Sequence, residues 1–173
     1  MRTPHSLLLV FLCISFVCYA QKADRYAIIN AGDQAPNFSF VKNDTVNMHL
    51  SDLKGKVVLL NFFATWCPPC KKELPKITEE IWNKHKDNEQ FELMIVGRGH
   101  NQTDLRKFIE KNNYSLPFYA DKDKKIFGSF AKDIIPRSYI INKNGLVVYQ
   151  SLGFNEDEFK KIVHIIDSLL IIK

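Results

Sequence analysis

Asn61-Phe62-Phe63-Ala64-Thr65-Trp66-Cys67-Pro68-Pro69-Cys70-Lys71-Lys72-Glu73-Leu74-Pro75 is the stretch that decides how the chain folds. Its first residues close an almost unbroken apolar run, Val57 to Phe63, which fits a central strand buried on both faces. Beyond the cysteines, Leu74, Ile77, Ile81 and Trp82 follow helical spacing, so a helix is expected to start near Cys67. Pro75 inside that pattern predicts a kink, because its ring crowds the preceding turn. A helix N-terminus offers unpaired N–H groups and a positive partial charge, which favour a thiolate over a thiol. Cys67 is therefore the expected nucleophile. Cys70 lies almost one turn further in, close enough to form a disulfide and release a substrate held on Cys67, and is the expected resolving thiol.

Toward the N-terminus, Ala35 to Phe40 and Val46 to Leu50 flank the turn residues Asn43-Asp44 and predict a hairpin. Toward the C-terminus, Phe91 to Val96 reads as a second buried strand and Thr103 to Asn112 as a helix with Leu105, Phe108 and Ile109 on one face. A short strand over Leu116 to Ala120 and a brief helix over Ile126 to Phe130 come next. Arg137 to Asn142 and Leu146 to Ser151 flank Asn144-Gly145, a pair suited to a two-residue hairpin turn. Phe159, Ile162, Val163, Ile166, Leu169 and Leu170 give a last helix one apolar face to bury against the sheet.

The 173-residue chain, 46% hydrophobic and 25% charged, fits one soluble domain. Residues 1–20 stand apart: Arg2 precedes the apolar run Leu7 to Val17, followed by the small-residue exit Ala20, the pattern of a signal peptide cleaved after Ala20. The run is shorter than the roughly 20 residues that span a bilayer, which argues against a retained anchor. Lipidation at Cys13 or Cys18 is the other alternative, opposed by the bulky Leu12 and Val17 before them. An extended leader over 21–31 and one domain over 32–173 complete the expected layout.

Of the four cysteines, two leave with the signal peptide and the survivors form one close pair. A mature chain of about 150 residues needs no disulfide staple, and so short a loop would stabilise little. The pair points to chemistry. The formal charge of +5 falls by one when Arg2 leaves, and the basic residues are mixed with acidic ones. Nothing resembles the long basic run of a nucleic-acid binder.

With Trp66 before the first cysteine, Pro69 before the second and Pro75 five residues after it, the stretch resembles the thioredoxin superfamily. Trp66 to Pro75, the preceding Gly55-Lys56 and the leader look most like its exported TlpA/ResA-like branch, over residues from about 32 to the C-terminus. The resemblance implies an α/β thioredoxin fold: a central mixed sheet flanked by helices, with an N-terminal β-hairpin extension and a central αβ insertion over Asn101 to Ala131. It also implies a cis proline opposite the dithiol, for which Pro136 is the candidate, so that the backbone of Ile135 faces the cysteines and pairs with an extended substrate. Trp66, Pro68 and Pro69 complete the expected supporting set.

In that branch a glutamate at the position of Glu73 belongs to the active site, where partial burial would raise its pKa and let it relay the proton of Cys70. The alternative is a solvent-facing glutamate in an early helical turn. Asn61 stands where many thioredoxins carry a buried aspartate; an amide cannot take that proton, which strengthens the case for Glu73. No histidine lies between the cysteines to favour a very acidic thiolate, which favours a reductant.

The expected function is an extracytoplasmic thiol-disulfide oxidoreductase. It would reduce protein disulfides with electrons from a membrane protein, need no cofactor or resident metal, and associate with the membrane only if the leader is retained or lipidated. Apocytochromes c and copper-site proteins are frequent substrates in the resembling branch. An oxidase or isomerase is the close alternative, since direction depends on potential and partners. A soft-metal carrier using the two thiolates is a further one, although His49, His85, His100 and His164 offer no good third ligand and His100 reads as a loop residue. A peroxidase would need its threonine placed differently; Thr65 is too close to Cys67.

Overall fold

The first strands among the described residues form an antiparallel hairpin of β1 (Ser39–Lys42) and β2 (Val46–His49), followed by a 3-10 turn over Leu50–Leu53. This computed structural model describes residues 24–42 and 45–171, so the expected signal peptide and the Asn43-Asp44 turn lie outside the described residues. The first strand begins at Ser39 rather than Ala35. The Ala35 N–H is spent on the Gly145 carbonyl, 3.0 Å away, and Pro36 has no N–H to offer a ladder.

Next come β3 (Val57–Phe63), α1 (Pro68–Lys76), a π-helical segment over Ile77–Trp82, α2 (Asn83–His85) and β4 (Phe91–Arg98). They are followed by α3 (Gln102–Asn112), β5 (Phe118–Asp121), α4 (Lys125–Phe130), β6 (Arg137–Ile141), β7 (Val147–Leu152) and α5 (Glu156–Ile171). The sheet order is β5-β4-β3-β6-β7. β3 pairs parallel with β4 and β4 with β5, while β6 runs antiparallel to both β3 and β7. This is the expected thioredoxin fold, with α3, β5 and α4 between a βαβ unit and a ββα unit.

Every residue of β3 is buried, as a central strand with both faces covered requires. Its alternation divides the core. Val57, Leu59 and Phe63 pack with Leu74, Ile77, Ile81, Phe159, Ile162 and Ile166, placing α1 and α5 on one face. Val58, Leu60 and Phe62 pack with Phe40, Leu53, Phe127 and Phe130, placing the hairpin and α4 on the other. Asn61 has the parity of the first set, so it is a polar group delivered to the α1 side of an apolar strand.

Pro75 lies inside α1, and in the turn that follows it the helix changes step to the π-helical segment, where the kink was expected. Asn101 caps α3, its side-chain oxygen accepting from the Asp104 N–H at 2.9 Å. Asp121 ends β5 and caps α4 with both carboxylate oxygens, accepting from Ile126 N–H at 3.0 Å and Phe127 N–H at 2.9 Å.

The β6–β7 connection corrects the expected two-residue turn. The Gly145 N–H donates to the Asn142 carbonyl at 2.9 Å, so Lys143 and Asn144 are the central residues. Gly145 follows them at φ +84°, while Asn144 is not in the left-handed region. One positive φ rather than two gives a longer loop with glycine at its closing position. The 21–31 leader is held where it is described, Ile28 and Ile29 N–H groups donating to the Phe130 carbonyl, and just after it Gly32 N–H donates to that of Val147.

Candidate active site

The strand-to-helix junction places Cys67 as the N-cap of α1, with Pro68 and Pro69 in the first helical turn, where a missing N–H costs nothing. Cys67 and Cys70 form a disulfide with S–S 2.04 Å and Cα–Cα 5.3 Å. The Cys70 N–H donates to Cys67 Sγ at 3.3 Å. Both cysteines are buried, whereas Trp66 beside them is 64% exposed and Pro68 and Pro69 face solvent. A disulfide at a helix N-terminus, next in sequence to an exposed tryptophan, is a setting suited to thiol-disulfide exchange.

The Ile135–Pro136 peptide is cis, and the Ile135 carbonyl oxygen lies 3.9 Å from Cys67 Sγ. Pro136 is buried and Ile135 half-buried. These two residues are therefore brought to the dithiol from a position 68 residues further along the chain.

Glu73 points inward rather than to solvent, only 2% exposed. Its Oε2 accepts from Asn61 Nδ2 at 3.0 Å, and the same amide nitrogen donates to Ser138 Oγ at 2.8 Å. Ser138 is the residue directly opposite Asn61 across β3 and β6. Burial raises the Glu73 carboxyl to about 7, and the Asn61 hydrogen bond only partly opposes this. A carboxyl poised there, three residues after Cys70 on one helix, can accept or return a proton near neutral pH.

His100, which reads in the sequence as a loop residue, belongs to the site. It is buried at the end of β4, stacks on Phe63 at 6.3 Å between ring centroids, and its Nε2 accepts the Thr65 N–H at 3.1 Å. Burial lowers its pKa, opposed by Asp104, so the neutral acceptor form is favoured. The turn it holds is closed by Cys67 N–H donating to the Ala64 carbonyl at 3.1 Å. His100→Ala leaves the Thr65 amide without this acceptor and is expected to lower stability by about 1–3 kcal/mol in urea unfolding, with His100→Gln recovering part of the loss. The signal that could have found it is topological. β4 lies parallel beside β3, so its C-terminal loop must emerge next to the cysteines.

The model of the redoxin family matches residues 30–166. The thiol-disulfide oxidoreductase ResA of Bacillus cereus is 32% identical over 149 residues, covering 85% of this chain and 85% of that protein. ResA of Bacillus subtilis is 32% identical over 143 residues, covering 82% and 79%. A solution structure of a candidate protein disulfide isomerase from Bacteroides thetaiotaomicron superposes with TM-score 0.80 at 34% identity, covering 84% of this chain and 93% of that one. StoA from Bacillus subtilis superposes with TM-score 0.62 at 25% identity, covering 75% and 97%.

Proposed function

Because the chain belongs to the redoxin family and is a thioredoxin-like thiol-disulfide oxidoreductase, we propose that it acts outside the cytoplasm as a reductase of protein disulfides. The observation that carries this reading is the Cys67–Cys70 pair at the start of α1, with the buried Glu73 on the same helix. In the reduced protein the Cys67 thiolate, favoured by the helix N-terminus, attacks one sulfur of a substrate disulfide. A mixed disulfide forms and the other substrate sulfur leaves as a thiolate, which takes up a proton. Cys70 then gives its proton to Glu73 and attacks Cys67 Sγ. The second substrate sulfur leaves, and the Cys67–Cys70 disulfide holds the two electrons' worth of oxidation removed from the substrate.

A membrane protein would return the protein to the dithiol form, and the signal-peptide pattern of residues 1–20 supports an extracytoplasmic setting for both steps. Among the described residues no helix is long and apolar enough to cross a membrane. The exposed Trp66 next to Cys67 in sequence and the Ile135 backbone facing Cys67 Sγ, set by the buried Pro136, suit the docking of an extended, cysteine-bearing segment. Apocytochromes c, which must keep paired cysteines reduced, are substrates of that kind.

Direction is decided by the reduction potential of the purified protein, measured by equilibration with glutathione or dithiothreitol. A value near about −270 mV is expected for the reductase; one near about −120 mV would make the protein an oxidase.

A further inference from the structure

Arg137 is the only arginine buried among the described residues, and it directly follows Pro136. It sits opposite Phe62 in the β3–β6 register, on the sheet face that packs the apolar cluster of Phe62, Phe127 and Phe130. Burying a guanidinium costs several kcal/mol unless its charge and its donors are met, and an apolar residue of similar volume is often at least as stable. Stability alone does not explain its presence.

Two of its three donor nitrogens reach the loop that faces the dithiol, and the third reaches the N-terminal segment. Nη1 donates to the Asp24 carboxylate, Nη2 to the Asp133 carbonyl at 3.2 Å and Nε to the Ile134 carbonyl at 3.4 Å. Ile134 has φ +70°, a conformation that a β-branched residue adopts only when its surroundings enforce it. From outside, Arg98 Nη2 binds the Asp133 carboxylate at 3.1 Å. The next residue along is Ile135, whose carbonyl faces Cys67 Sγ.

Asp24 is itself fixed. Its carboxylate accepts the Tyr26 N–H at 3.0 Å and its carbonyl the Ala27 N–H at 3.0 Å. The Tyr26 carbonyl in turn accepts the Lys132 N–H at 2.8 Å, at the start of the same loop. The leader thus ties to both ends of a strained segment whose carbonyls are turned toward one guanidinium.

We propose that Asp24 and Arg137 are positioning residues of the dithiol site: through the Asp133 and Ile134 carbonyls they hold the Ile135 backbone in the orientation that docks an extended substrate, which makes the segment around Asp24, beyond the expected signal peptide, a working part of the substrate edge. The inference rests on the reading of this site as a protein-disulfide reductase and names what sets its affinity for peptide substrates.

The test compares Asp24→Asn, Asp24→Glu and Arg137→Lys in the purified protein against two oxidants. Insulin presents its disulfides in peptide segments, and bis(2-hydroxyethyl) disulfide is too small to span the loop. Asp24→Asn is expected to raise KM for insulin about tenfold with little change in kcat, and to change the small-disulfide rate by less than about twofold. Asp24→Glu restores most of the insulin KM. Arg137→Lys, which keeps the charge but cannot reach Asp24 and two carbonyls together, gives the same split and guards against misfolding of the first variant. An unchanged insulin KM in folded Asp24→Asn and Arg137→Lys overturns the proposal. So does a parallel loss with both oxidants that Glu does not rescue, since that is a loss of fold. Wild-type protein inert toward both oxidants overturns the reductase reading itself, and this inference with it.

Discussion

Cys67→Ser is expected to lower protein-disulfide turnover by at least about three orders of magnitude, equivalent to about 4 kcal/mol of transition-state stabilisation. The reason is positional: residue 67 caps α1, and only a sulfur there combines a stabilised anion with the nucleophilicity that exchange needs. Cys70→Ser has a different signature. The first attack proceeds, but the buried partner that should release the substrate is missing, so a covalent Cys67–substrate complex accumulates. Non-reducing gels and intact mass distinguish the two. Equal loss in both variants without a trapped complex would remove the division into attacking and resolving thiols.

Glu73→Gln is expected to slow the release step by at least about 100-fold while sparing the first attack, and to erase an inflection near neutral pH. The same group makes a stability prediction of definite sign. Burial raises the folded-state carboxyl to about 7 from an ordinary value of 4.5. Between those values the folded protein binds more protons than the unfolded chain, so wild-type stability falls as pH rises through that window. Above it, ionised Glu73 costs about 3 kcal/mol, the free energy that corresponds to holding a carboxyl that far above its ordinary value. Glu73→Gln keeps an acceptor for Asn61 but cannot ionise. It should therefore unfold like wild type near pH 4 and be more stable than wild type at pH 8. Urea midpoints at the two pH values check this; a variant less stable than wild type at pH 8 would mean that Glu73 is not held as a buried acid.

Much of this architecture is legible in the residues. A seven-residue apolar run has few homes other than a central strand, and its single polar interruption, Asn61, falls with the parity that faces α1. The cysteine pair is legible too: Cys67 and Cys70 fall at the strand-to-helix junction, as their disulfide and the cap of α1 show. Contacts between distant segments are harder to read. His100 and Thr65 are 35 residues apart, and Asp24 and Arg137 are 113 apart, so neither pairing leaves a local pattern. Arg137 is especially well hidden, since an arginine beginning a strand reads as an ordinary exposed residue until an acidic partner arrives from the leader. The β6–β7 turn departs from expectation for a local reason: Asn-Gly can sit at either the centre or the end of a turn, and here the closing bond falls on Gly145 itself.

The central claim is that Cys67 and Cys70 work as one reversible dithiol–disulfide couple. It is tested most directly by equilibrating the protein across a series of dithiothreitol redox buffers, quenching with a maleimide and counting adducts by intact mass. Two adducts appearing together in a single two-electron transition, absent from Cys67→Ser, is the predicted result. Cysteines that label one at a time, or a pair that never reoxidises to the disulfide, would contradict it.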